Sequence, residues 1–196
     1  LYTANDFAFS GKAEAKGTDA GTYKMGLKES NFKNISNQFS KVKFVVVDGT
    51  LTIEKRNVTL TSGTSSRPYT GEALTNDTIT VGGDGFAEGE GASCKVTGTI
   101  TNVGKKDNTF TYTLDEGTNK DNYEITTKEG TLEVTPVTSE VVVKITGNHT
   151  EDKYDGTEKK ASGYEITDIS NPLYKNSDFK FNGTALVKRT NAGETE

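Results

Sequence analysis

The chain has 196 residues, of which 31% are hydrophobic and 26% are charged, and its formal net charge is −5. This acidic balance, with no stripe of Lys and Arg between aromatic residues, argues against nucleic acid or an anionic membrane as a partner. The lean supply of apolar residues favours small, thin modules, and the lack of any run of about 18 apolar residues argues against insertion into a membrane.

Short alternating runs of Thr, Val, Ile, Tyr and Phe recur along the sequence, whereas the Ala, Leu, Glu and Lys runs that favour helices are missing. This pattern predicts an all-β, mainly antiparallel fold. Strands this frequent indicate tandem Ig-like β-sandwich modules in an elongated array. Small β-grasp-like modules with one short helix are the alternative.

Two elements are predicted in the N-terminal part of the chain. Residues 28–39, KESNFKNISNQF, carry apolar residues at helical spacing behind a possible cap at Ser30, so we expect one or two helical turns. The stretch FVVVDGTLTIEK follows, and we expect it to form a tight hairpin with Asp48 and Gly49 at the turn.

Further strands are predicted where alternating runs lie between turn residues. They span residues 58–61, 78–81, 94–101, 109–114, 123–127 and 131–134. The intervening stretches VGGDG, VGKKDN and DEGTNKDN are predicted to be turns. TKEGTLEV is expected to form a second tight hairpin, in which Gly130 adopts a positive φ.

The opening phrase of the chain returns near its end. Residues 173–193 align without a gap on residues 1–21, and a weaker echo links the sequence from Asp48 to that from Glu129 through a shared GTL. Repeats of this period indicate an array of related modules. In this alignment Leu173 is opposite Leu1. The following residues of the second copy are also identical to their counterparts in the first: Tyr174, Asp178, Phe179, Phe181, Gly183, Ala185, Lys188, Ala192 and Gly193.

The repeats predict three parts. Residues 1–56 are the C-terminal part of a first-type module, residues 57–138 are one complete second-type module, and residues 139–196 are the N-terminal part of the next first-type module. We therefore expect a piece of a longer repetitive protein. If the partial modules are ordered, either these boundaries are wrong or strands of a neighbouring chain or module cover their open sheet edges.

The phrases YTGEAL, YDGTEKK, DAGTYKMGL, KFVVVDGTLTI and NYEITTKEGTLEV resemble the tandem repeats of large Firmicutes cell-surface proteins, in particular the MBG-type and bacterial Ig-like modules. Tyr69 and Tyr154 match the Tyr-x-Gly of that family, and residues 19–23 match its NAGTY-like strand. TNVGKKDNTFTYTL departs from that strand pattern. The resemblance implies an adhesin-like array outside the cell, and it brings no catalytic residues with it.

No residue is singled out as catalytic, cofactor-binding or metal-binding. His149 lies in the polar turn TGNHTED with no nucleophile elbow in the chain, and Cys94, expected on one face of a strand, is far from it in sequence. Neither a catalytic triad nor a zinc site is therefore indicated. The acidic loops at residues 82–91 and 113–122 lack EF-hand spacing, which argues against calcium without deciding the question.

The aromatic pairs Phe179 with Phe181 and Phe110 with Tyr112 have the spacing of one strand face, so we expect them in the core rather than in a sugar-stacking platform. The expected function is non-enzymatic. It is a structural or adhesive stalk at the cell wall of a Gram-positive bacterium, with a carbohydrate-binding module using exposed aromatics as the alternative. Partners would be host glycans or proteins held by repeated weak contacts, and the sequence names no ligand-binding residue.

Overall fold

The computed structural model describes residues 1–195 and shows a chain of short strands, which confirms the predicted all-β, mainly antiparallel fold. The strands are β1 (Phe7–Phe9), β2 (Gly21–Lys24), β3 (Phe32–Asn34), β4 (Thr50–Ile53), β5 (Arg56–Ser62), β6 (Ser65–Pro68), β7 (Ile79–Gly83), β8 (Ala92–Val96), β9 (Gly104–Asn108), β10 (Phe110–Leu114), β11 (Tyr123–Lys128), β12 (Gly130–Thr135), β13 (Val143–Gly147), β14 (Lys159–Ser162), β15 (Tyr164–Ile169) and β16 (Leu186–Arg189). The 3-10 helices are η1 (Ala4–Asp6), η2 (Glu29–Asn31), η3 (Lys120–Asn122) and η4 (Asn176–Asp178).

Every helix among residues 1–195 is a single 3-10 turn, so none offers the length of apolar chain that a membrane crossing by a helix requires.

The strands form small sheets. Two three-stranded sheets have the orders β11-β5-β7 and β6-β12-β9, and two-stranded sheets join β1 to β3, β2 to β4, β8 to β10, β13 to β15 and β14 to β16. β5 and β11 run parallel, whereas β5 and β7 and all of the two-stranded sheets are antiparallel. β5 is therefore the central strand of its sheet.

The chain divides into two compact units. Unit 1 comprises Leu1–Ser66, Leu74–Ile100 and Lys105–Glu133, and unit 2 comprises Arg67–Ala73, Thr101–Gly104 and Val134–Glu196. The module boundaries that the repeats predict stay predictions.

The core of unit 1 is built on β5. Alternation in RNVTLTS turns Val58 and Leu60 inward, and both are fully buried between the neighbouring strands β7 and β11. Tyr123 of β11 completes this cluster, and Phe86 and Cys94 are among the half-buried residues that pack against it. Burying each such aliphatic side chain contributes about 1.5–3 kcal/mol.

The buried hydrophobic side chains of residues 1–195 all lie between positions 58 and 134. They are Val58, Leu60, Leu74, Tyr123, Leu132 and Val134. The lean core expected from composition is therefore confirmed, and the flanking stretches contain only half-buried or exposed hydrophobic residues.

The repeated phrase forms the same 3-10 turn at both of its positions. η1 and η4 are equivalent, and each is closed by an aspartate that accepts a hydrogen bond from the backbone N–H three residues earlier. Asp6 Oδ2 lies 2.7 Å from Thr3 N, and Asp178 Oδ2 lies 2.8 Å from Lys175 N. The sequence repeat is thus a structural repeat at this turn, whereas β1 has no equivalent strand at residues 179–181 and β16 has none at residues 14–17.

The weaker sequence echo is also structural. Leu60 of β5 is opposite Val81 of β7, and Ile145 of β13 is opposite Ile166 of β15. Each residue of the second pair follows its counterpart in the first pair by 85 positions. Residues 145–147 of β13 therefore repeat the register of β5 with β7, and a register shift between Lys144 and Ile145 ends the match.

The predicted helix is wrong. Only η2 forms a 3-10 turn, Ser30 lies inside it rather than before it, and β3 follows at once. The Asn31 side chain accepts a hydrogen bond from Lys28 N at 2.8 Å and closes that turn. Phe32 then pairs with Phe9 of β1, and this ladder prevails over the helical spacing of the apolar residues.

Both predicted hairpins are wrong. β4 pairs with β2, so Asp48 and Gly49 do not join two paired strands. β11 and β12 belong to different sheets, and Gly130 does not adopt a positive φ. Gly130 is needed for another reason, since a Cβ there would collide with the carbonyl oxygens of Ser62 and Gly63.

The predicted strands at 58–61, 78–81, 109–114, 123–127 and 131–134 are confirmed as β5, β7, β10, β11 and β12. The strand predicted at 94–101 ends at Val96. β6 was not predicted, and β9 lies in the predicted turn VGKKDN. β9 pairs with β12, the same partnership that the NAGTY-like strand β2 has with β4.

Candidate functional site

His149 and Cys94 are placed as the sequence predicts. His149 is 80% exposed in its turn, and its Nε2 lies 3.3 Å from the equally exposed Glu151 Oε1. Cys94 is half-buried in β8 opposite Tyr112, and burial raises the pKa of its thiol, so the thiol behaves as a small packing group.

Three carboxylates of the acidic loops accept hydrogen bonds within the protein. Tyr123 donates to Glu90 Oε2 at 2.6 Å, Ser93 donates to Asp115 Oδ1 at 2.6 Å, and Asp84 Oδ2 accepts from Asn57 N at 2.8 Å. Among residues 1–195 no three His, Cys, Asp or Glu side chains converge on one point. The three carboxylates therefore hold residues of β5, β8 and β11 by hydrogen bonds.

The two members of each predicted aromatic pair lie in different surroundings. Phe110 packs against the core, but Tyr112, in the middle of β10, is 36% exposed. The expectation of a core position is wrong for Phe181, which is 51% exposed and lies 5.1 Å from the Tyr164 ring. Phe179 stacks instead on Tyr174, with ring centroids 6.3 Å apart.

Both Tyr-x-Gly positions form turns. Gly71 and Gly156 have φ values of +80° and +76°, a conformation that favours glycine. In unit 2 the Tyr69 N–H donates to Thr135 O at 2.9 Å. Tyr154, in contrast, is 66% exposed.

An apolar groove of about 420 Å³ lies in the N-terminal part of unit 1, and we call it the N-terminal groove. Three phenylalanine rings form its wall, with Phe32 lying 5.9 Å from Phe7 and 5.7 Å from Phe44 between ring centroids. Tyr2, Leu27, Val45, Val46 and Val47 complete its lining. Apart from the Tyr2 hydroxyl, the side chains that line the groove are apolar.

Asp48 holds one end of the groove in place. Its carboxylate accepts hydrogen bonds from Leu27 N at 2.8 Å and Gly26 N at 3.0 Å. The hydrogen bond from Leu27 is the main cause that lowers the pKa of this carboxyl group. Asp48 thus anchors the segment 42–47 that borders the groove.

The segment 42–47 has the exposure pattern of a strand without a ladder. Val42, Phe44 and Val46 are half-buried, whereas Val45 and Val47 are 80% and 88% exposed. Among residues 1–195 no strand pairs with it. Its backbone groups are therefore available to a partner.

A second feature joins two predicted modules inside unit 1. Asp19 Oδ1 accepts hydrogen bonds from Asn122 Nδ2 at 2.9 Å and from Asn119 Nδ2 at 3.2 Å, while Ala20 N donates to Asn122 Oδ1 at 2.7 Å. We call this set the junction clamp. The sequence shows Asp19 only as the first residue of the NAGTY-like match, and its contacts are not visible there because its partners lie about 100 positions away.

Residues 1–55 match the MBG domain, which is a repeat-type module of surface proteins. The resemblance to MBG-type modules is therefore confirmed over this stretch. Neither the curated proteins nor the solved structures give a match.

Proposed function

We propose that the chain, whose first 55 residues match the MBG domain, is a non-catalytic spacer in the extracellular, wall-associated part of a Gram-positive surface protein. Its work is mechanical. It holds a binding region away from the wall or presents weak contacts that gain strength by repetition.

The observation that carries this proposal is the way the first two predicted modules meet. β4 ends at Ile53 and β5 begins at Arg56, so only two residues separate the last strand of one module from the first strand of the next. The junction clamp adds three hydrogen bonds at the same boundary. A short connection with polar contacts limits bending between modules, as a spacer requires.

The parallel pairing of β5 with β11 supports the same function. The first strand of residues 57–138 lies beside a strand near their end, with six consecutive residue pairs from Arg56 opposite Tyr123 to Thr61 opposite Lys128. A pull along the strands would load these pairs together instead of opening them one by one. This arrangement suits a chain held under tension.

Single-molecule pulling from the two ends of the chain tests the mechanical role. We expect a cooperative rupture whose force falls when Leu60→Ala removes core packing, while the exposed Val81→Ala leaves it unchanged. Smooth extension at low force without a rupture event would contradict the spacer.

The location and the binding alternative need their own measurements. Antibody against the chain should label intact cells of the source organism, and signal only after permeabilisation would contradict the surface location.

On a glycan array we expect no saturable binding. Binding that is lost in Tyr154→Ala or Phe181→Ala would replace the spacer by a carbohydrate-binding module.

A further inference from the structure

Four dipeptides in the chain place an aspartate or an asparagine directly before a glycine. They are Asp48 before Gly49, Asp84 before Gly85, Asp155 before Gly156 and Asn182 before Gly183. In such a dipeptide the backbone nitrogen of the glycine can attack the side-chain carbonyl carbon, because glycine has no Cβ to obstruct the approach. The attack needs a side chain that is free to turn and a backbone that can rotate. The structure separates the four dipeptides by these two requirements.

The three aspartate side chains are held by hydrogen bonds. The Asp48 carboxylate accepts from two backbone N–H groups, and Asp84 Oδ2 accepts from a backbone N–H of β5 at 2.8 Å. Asp155 accepts from Thr157 N at 3.0 Å and lies 2.6 Å from Lys159 Nζ. The hydrogen bond from Lys159 is the main cause that lowers the pKa of the Asp155 carboxyl group. An ionised, hydrogen-bonded carboxylate is a poor target for a nucleophile.

The Asn182 side chain, in contrast, is exposed and makes no hydrogen bond among residues 1–195. The backbone of residues 181–184 makes none there either, and β16 begins only at Leu186. The carbonyl carbon of this side chain belongs to a neutral amide, which a nucleophile can attack. Both requirements for the attack are therefore met at this dipeptide.

The other copy of the repeated phrase has a similar backbone at this position but no amide. In the alignment of residues 173–193 on 1–21, Asn182 falls on Ser10 and Gly183 falls on Gly11. The φ values of Gly183 and Gly11 are +139° and +126°, a region that favours glycine, and Ser10 is exposed as Asn182 is. The turn thus requires the glycine, whereas the residue before it can be serine.

We propose that Asn182 is a site of spontaneous deamidation in the folded chain and that it reacts ahead of the three aspartate dipeptides. The Gly183 backbone nitrogen forms a bond to Asn182 Cγ. The Cγ–Nδ2 bond breaks, and ammonia leaves with the proton of the Gly183 N–H. Water then opens the succinimide ring at either of its carbonyl carbons. The product is aspartate or isoaspartate at position 182, with one negative charge that the asparagine lacked. This site goes beyond the spacer function and does not depend on it.

Incubation of the folded chain at mildly alkaline pH, followed by trypsin digestion and mass spectrometry, tests the site. Trypsin cuts after Lys180 and Lys188, which isolates residues 181–188 with Asn182 as their only asparagine. We expect this peptide to acquire aspartyl and isoaspartyl forms at least several-fold faster than isoaspartate forms in the peptides 44–55 and 154–159. The rate should rise with pH, because the attacking nitrogen must lose its proton. A peptide 181–188 that stays unmodified would overturn the proposal.

Asn182→Ser is the matched control, because it introduces the residue that the other copy carries in the same turn. Ion exchange of the intact, aged chain should show an acidic form, and this form should be missing from the variant. An acidic form of equal amount in both proteins would place the reaction elsewhere and refute the proposal.

The same incubation in guanidinium chloride tests whether the fold selects the site. Unfolding frees the Asp48 and Asp155 carboxylates, so isoaspartate should form faster in their peptides than it does in the folded chain. The rate at Asn182 should change little, because the folded chain already leaves this dipeptide free. A rate at Asn182 that is many-fold higher in the denaturant would show that the fold protects the site, which contradicts the proposal.

Discussion

The Asp19 carboxylate and the Asn122 side chain, 103 residues apart in sequence, lie 2.9 Å from each other and join two stretches of chain that the repeats assign to different modules. Asn122 also receives the backbone N–H of Ala20, so the same side chain both donates and accepts across the boundary. Such two-way pairing fixes the orientation of the asparagine amide.

A double-mutant cycle on Asp19→Ala and Asn122→Ala should therefore show coupling. We expect an interaction energy of about 0.5–1.5 kcal/mol in urea unfolding, the range of one hydrogen bond. Asp121→Ala in the same 3-10 turn is the matched control, because its carboxylate makes no hydrogen bond among residues 1–195. Strict additivity of the two changes would show that Asp19 and Asn122 do not stabilise the protein through each other.

Gly130→Ala should destabilise unit 1 although Gly130 has an ordinary backbone conformation. An added methyl group would meet the carbonyl oxygens of Ser62 and Gly63, and forcing an extra carbon into a packed site costs about 1–3 kcal/mol. Gly147→Ala is the control, since a Cβ there meets nothing within 4 Å. Equal unfolding free energies of the two variants would mean that the backbone yields without cost.

Ser62→Ala should cost about 1–3 kcal/mol because it leaves two buried backbone groups without a partner. The Ser62 hydroxyl donates to Asn108 O at 2.6 Å and accepts from Gly130 N at 2.9 Å. Ser93→Ala breaks an exposed bond to Asp115 and should change the unfolding free energy by less than about 0.5 kcal/mol. Chemical denaturation compares the two, and a neutral Ser62→Ala would show that water replaces the hydroxyl.

Acid should weaken the N-terminal part through Asp48. The folded pKa of this carboxyl group is lowered, so its contribution to stability is complete above the unfolded pKa of about 3.9 and is lost as the pH falls toward the lower folded value. The thermal midpoint should therefore decline below about pH 4, and less steeply in Asp48→Asn. Asp77→Asn, whose carboxylate makes no hydrogen bond among residues 1–195, should keep the steep decline. Parallel curves for wild type and Asp48→Asn would contradict this role.

Local pattern was sufficient to predict some elements and not others. β5, β10 and β12 were predictable because their inward residues alternate with polar ones within a few positions. β9 was missed because GKKDN is mostly exposed and its place depends on β12, more than twenty residues later. A polar sequence is compatible with either a turn or a strand until a partner is known.

The candidate features depend on still longer separations. The phrase FVVVDG has the local signal of a hairpin, yet Asp48 is used to bind the N–H groups of Gly26 and Leu27. Nothing within a short window indicates that contact. The junction clamp is beyond local reasoning for the same reason, since Asn119 and Asn122 are ordinary turn residues in sequence.

The parallel pairing of β5 with β11 also imposes an order in time on folding. β5 leaves the ribosome 67 residues before the strand that covers its edge, a delay of roughly 3–13 s at synthesis rates of 5–20 residues per second. During that delay β7, the other neighbour of β5, has already been synthesised, but the edge of β5 that β11 later covers stays exposed. In a chain of such modules, each module therefore completes its sheet only when its β11-like strand has been synthesised. Until then its β5-like strand can pair with a wrong strand.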